Sequence, residues 1–182
     1  MKRISLLALA LICAYSSFAQ NCKYKKNEVD KFTGKHVKQT KDKQVIGTFY
    51  TAGDFSVLKE GEDYFLVFDY VLTSYSNFKP HSIPEGSELV FLLVNGKTIS
   101  AKSVATISGQ SATLIGLPPL YTCKLKQVRY SITKDQLVEL AKEEIKAIRF
   151  NKLTGEGNPD VVDNDIKRHN QDDIKALISC VL

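Results

Sequence analysis

The chain has 182 residues, 43% of them hydrophobic and 25% charged, with ten glycines, five prolines and a formal net charge of +5. That balance excludes a collagen-like repeat and a disordered chain, and it suits one globular domain able to bury most of the surface its unfolded form exposes. The charge is uneven: residues 21–44 carry eight lysines against Glu28, Asp30 and Asp42, whereas residues 45–182 carry 15 basic and 17 acidic side chains.

Lys2 and Arg3 precede an apolar run over residues 4–14 broken only by Ser5, and Ser17 and Ala19 stand three and one positions before a cleavage point. Short basic start, apolar core of about ten residues and small residues before the cut are the pattern of a secretory signal peptide, here residues 1–19. The run is too short for a membrane-spanning helix, which needs about 20 apolar residues. A lipoprotein signal at Cys13 is disfavoured by the bulky Ile12 before it. No later stretch is long and apolar enough to span, so the mature chain is expected to work outside the cytoplasm, in the periplasm, on the outer surface or secreted. Cleavage leaves Cys22, Cys123 and Cys180. In an oxidising compartment two of the three should pair, and Cys22 with Cys180 is the preferred couple because chain ends tend to lie close together in compact domains.

Residues 20–44 read as a lysine-rich N-terminal segment and 45–182 as a single α+β domain. A basic segment suits an anionic partner, but dispersed lysines without arginine fit a solvated extended segment better, and nucleic acid is a poor partner for an exported chain. Strands are predicted over 45–50, 55–58 and 64–73. The last has apolar residues on both faces and so should be central. A long loop follows over 74–87. Asn95-Gly96, between 88–94 and 97–101, predicts a tight hairpin with a type I′ turn. Further strands are expected over 103–107, 111–115, 124–132, 145–150 and 161–167. Thr133 to Gln136 forms a capping box ahead of a helix over about 134–143, and Asn170 is placed to cap a second helix over 171–181. Strands first and two helices late predict α+β with a largely antiparallel sheet.

No catalytic constellation emerges. His36, His81 and His169 lack ligand partners at metal spacing, Asp160, Asp163 and Asp165 lack the rest of a calcium loop, and Ser111 lacks the second glycine of a nucleophile elbow. Glu143-Glu144 are chain neighbours, which says nothing of separation across a cleft. No phosphate-binding glycine loop occurs, and no metal or cofactor is expected. Tyr75 and Phe78 stand apart from the strand-periodic aromatics, in the long loop, and are the candidate ligand-binding residues.

The segment Cys22 to Lys35, with its Asp30-Lys31-Phe32-Thr33-Gly34-Lys35, together with Tyr130-Ser131-Ile132, Gln136-Leu137 and Ile148-Arg149-Phe150, resembles a group of exported proteins of Gram-negative bacteria for which no function is established. The resemblance implies a defined turn over 30–35 and no activity. The functional expectation is an exported, non-enzymatic binding or accessory module for a protein or glycan of the cell envelope or beyond it. The alternative is a periplasmic or secreted hydrolase whose catalytic groups converge only in the fold.

Overall fold

The structure, a computed structural model, describes residues 22–77, 79–114 and 118–182. The expected signal peptide and Phe78 lie outside these. The strands are β1 (Tyr24–Val29), β2 (His36–Thr40), β3 (Lys43–Gly47), β4 (Thr51–Glu60), β5 (Asp63–Ser74), β6 (Ser82–Ile83), β7 (Glu88–Leu93), β8 (Thr98–Ser103), β9 (Ile107–Ser108), β10 (Gln110–Leu114), β11 (Leu120–Ile132), β12 (Ile145–Leu153) and β13 (Pro159–Asp165). Two helices come late, α1 (Lys134–Lys142) and α2 (Arg168–Ser179). The fold is α+β, and every strand pairing is antiparallel.

The main path runs β1-β2-β4-β5-β11-β8-β7-β12-β6-β9, with β3 on β4, β10 on β11 and β13 on β12. The sheet must curl, because rings on strands far apart in this order touch. Phe68 and Tyr70 of β5 meet Phe150 of β12 at centroid distances of 5.0 and 4.8 Å, and Phe55 of β4 lies 6.2 Å from Phe91 of β7. β3 and β13 end up lining one cleft, beside α2. The concave face encloses one core, in which Phe68, Leu89, Phe91, Leu125, Val128, Ile148 and Phe150 are fully buried. α2 closes it with Ile174, Leu177 and Ile178, packing on β3, β4 and α1.

β5 is central, between β4 and β11. Its core face is buried, whereas on the other face Val67 is buried and Phe65, Asp69 and Val71 only half so. β11 serves two neighbours on its other edge, β10 through residues 120–124 and β8 through Tyr130 and Ser131. Between them a bulge interrupts the register at Leu125/Val128, where Gln127 takes φ 57° and donates its amide to the Asp69 carboxylate. A bulge of this kind bends the strand and so redirects its edge.

The lysine-rich segment is folded into the sheet as the β1–β2 hairpin and β3. Asp30 builds its turn, Oδ1 accepting from the amides of Phe32 and Thr33 at 2.9 and 2.7 Å, while Gly34 adopts φ 69°. These hydrogen bonds to the ionised form hold the Asp30 carboxyl below its usual value. Of its lysines, Lys25 pairs with Asp42 of the same segment, Lys35 with Asp63 of β5 and Lys43 with Asp173 of α2.

Several local expectations need correction, the first being the strand over 103–107: β8 ends at Ser103, residues 104–106 form no strand, and Ile107–Ser108 pair separately as β9. The β7–β8 hairpin forms, but only Gly96 has positive φ (84°), so the turn is not type I′. Asn95 instead uses Oδ1 to accept the Lys97 amide at 3.0 Å, a local bond that holds it outside the left-handed region. Likewise α2 starts at Arg168 with Lys167 as N-cap and no side-chain cap. Asn170 lies inside the helix and donates Nδ2 to the Val45 carbonyl at 2.7 Å, so a tie to β3 replaced the cap.

Candidate functional site

The connection from β5 to β6 carries Tyr75, Asn77, Lys79 and His81, and two surface features converge on it. The first is aromatic. Tyr75 is 47% exposed and meets Tyr50 edge-on at 6.2 Å, and Tyr50 meets Phe49 edge-on at 5.0 Å. Phe49 and Tyr50 occupy the β3–β4 turn, where a strand was expected. Thr48 converts it to a turn by accepting the amides of Tyr50 and Thr51 on its hydroxyl, and the Tyr50 carbonyl accepts from the Thr73 amide at 2.8 Å. Phe49 is left 75% exposed on a hydrogen-bonded support.

The second feature is a polar cavity of about 530 Å³ lined by Asn77, Lys79, His81, Thr154, Gly155, Glu156 and Asn158. The far wall is the β12–β13 turn, held by the Thr154 amide donating to the Asn158 carbonyl and the Gly157 amide to the Thr154 carbonyl, both at 2.8 Å. Gly155 is required there, since a Cβ would overlap both the side chain and the carbonyl of Lys79. Backbone of the two walls is therefore in direct contact. Tyr75 and Asn77 are two residues apart, so their Cα atoms lie within about 7 Å.

Beside His81 runs a polar chain that the sequence did not foretell. Lys152, 3% exposed, puts Nζ 3.1 Å from His81 Nδ1 and pairs with the Asp160 carboxylate. An ammonium can only donate, so Nδ1 accepts and the ring is neutral with its proton on Nε2. Burial and the Lys152 charge both push the His81 pKa down, in the same direction as that assignment. The His81 amide also donates to Cys123 Sγ at 3.4 Å. Burial pushes the Cys123 thiol up, so it stays protonated and weakly nucleophilic at neutral pH. Tyr70 completes the inner end, its phenol raised to about 12 by burial and the nearby Asp160.

Of the two residues singled out from sequence, Tyr75 is exposed in the aromatic group and Phe78 lies outside the described residues. Sequence reasoning put Phe49 and Tyr50 in a strand, weighed His81 only as a metal ligand, and did not single out Lys152 or Asn158. The pair Gly47-Thr48, between Ile46 and Phe49, hinted that Phe49 and Tyr50 leave the strand. Among the described residues no cluster of three or more metal-ligating side chains occurs. Cys22 and Cys180 form a disulfide with Cα atoms 5.7 Å apart, and among the described residues Cys123 is the free, buried thiol.

Compared with protein-family models, with curated proteins and with solved structures, the chain matches none.

Proposed function

We propose that this is an exported, non-enzymatic binding module that takes a glycan at the residue 74–82 connection. One observation carries the reading: a single loop places an exposed tyrosine of an aromatic group within two residues of a polar cavity. Sugars present apolar C–H faces that pack on aromatic rings and hydroxyls that both donate and accept. Tyr75 with Tyr50 offers the first partner. Asn77, Lys79, Glu156 and Asn158 offer a mixture of donors and acceptors for the second. Export rests on the pattern of residues 1–19, and the Cys22–Cys180 bond is compatible with an oxidising compartment.

The hydrolase alternative would draw on Cys123, His81, Lys152 and Asp160. It is the weaker reading because the thiol is 1% exposed and raised by burial, and the Nδ1 lone pair is occupied by Lys152. A panel of neutral oligosaccharides titrated calorimetrically should identify a binder, with Tyr75→Ala weakening it about tenfold, the worth of one stacked ring. Binding unaffected by Tyr75→Ala, or no saccharide bound at all, would remove the glycan site. Release of cleaved product would return the hydrolase.

A further inference from the structure

Residues 103–123 contain no Asp, Glu, Lys or Arg, a run of 21 in a chain that is 25% charged. Within this run β10 pairs with β11 through residues 110–114 and with no other strand among the described residues. All five of its residues are exposed, with Leu114 at 49%. An edge strand of this kind presents a row of unpaired amides and carbonyls, and natural proteins usually protect such rows with charge, proline or a bulge. β10 has none of the three. Other outer strands differ: β1 carries Lys25, Lys26 and Glu28, β3 carries Lys43, and β13 carries Asp160, Asp163 and Asp165, while the uncharged β9 has only two residues.

We propose that β10 is a self-pairing edge through which two copies of this chain join antiparallel about a two-fold axis. In such an isologous contact each side chain meets its own symmetry counterpart, so a charged strand would oppose like charges. Self-pairing of β13 would set three aspartates against three. β10 sets none. With Ala112 on the axis, Ser111 of one copy faces Thr113 of the other, a hydroxyl pair of the kind that stabilises cross-strand contacts, and Gln110 faces Leu114. The small Ala112 lets the two backbones approach. A five-residue ladder is a small interface, so the association is weak, with half-dimerisation at about 100 µM.

Sedimentation equilibrium over a concentration series should show reversible doubling of mass. Ala112→Lys and Ala112→Glu, both at an exposed position, should each weaken dimerisation tenfold or more by placing like charges on the axis, and an equimolar mixture of the two should restore it. On the wild-type chain alone, amide hydrogen exchange over residues 110–114 should slow as concentration rises. A wild-type chain that stays monomeric to about 1 mM, a dimer indifferent to both charges, or exchange independent of concentration overturns the proposal. So does capture of a foreign strand by β10 without self-association.

Discussion

At the residue scale the most consequential contact is Lys152 between His81 and Asp160. A buried ammonium is stable only when its charge is paired and its protons are accepted, and Asp160 and the neutral His81 ring supply both. Protonating His81 would place two cations 3.1 Å apart. The folded state therefore resists that proton, and the His81 pKa lies below the ordinary histidine value. As pH falls through about 6.5, the unfolded chain takes up a proton the folded chain refuses, so stability drops between that pH and the lower folded pKa and is fully present above it. Urea unfolding at pH 7.5 and 5.5 should show a larger loss for wild type than for His81→Gln, which keeps an acceptor for Lys152 but does not titrate. An equal loss in both would show that His81 does not couple to folding.

At the scale of the element, α1 illustrates a local signal that survives unchanged into the fold. Thr133 Oγ1 accepts the Gln136 amide at 3.2 Å and Gln136 Oε1 accepts the Thr133 amide at 3.0 Å, so both arms of the capping box form. The Gln136 side chain also donates to the Ser100 carbonyl at 3.1 Å, tying the helix start to β8. Thr133→Ala should cost about 1 kcal/mol in chemical denaturation, the usual worth of an N-cap. α2 shows the opposite case, where Asn170 had the right chemistry for a cap but the helix extended past it and spent its amide on β3. Cap signals are reliable when no distant acceptor competes, and Val45 is such a competitor.

Across the whole molecule the Cys22–Cys180 bond joins positions 158 residues apart and fastens the start of the β1–β2 hairpin to the end of α2. Tyr24 adds a hydrogen bond from its hydroxyl to the Cys180 carbonyl at 3.0 Å. Closing so long a loop restricts the unfolded chain by about 5 kcal/mol in the chain-entropy model, a large part of the 5–15 kcal/mol that holds a typical domain together. Replacing both cysteines by serine should lower the unfolding free energy by several kcal/mol, approaching that figure. Non-reducing peptide mapping should recover this one intramolecular bond with Cys123 as thiol.

What the sequence determined by itself was whatever depends on near neighbours. Period-two apolar positions placed β5 and β11, Thr133 and Gln136 placed α1, and the order of strands before helices set the class. Proximity of chain ends even selected the disulfide. The tertiary structure alone decided everything that rests on distant residues. Antiparallel pairing of β4 with β5 brings Tyr50 to Tyr75, pairing of β6 with β12 sets the β12–β13 turn by Lys79 and Lys152 by His81, and the β12–β13 register puts Lys152 opposite Asp160. The fold also placed partners that a linear count cannot see, Asp63 beside Lys35 and Asp173 beside Lys43, for two of the eight lysines at the start of the chain. Coulomb pairing acts through space rather than along the chain, and that is why these two ion pairs could not be read from composition.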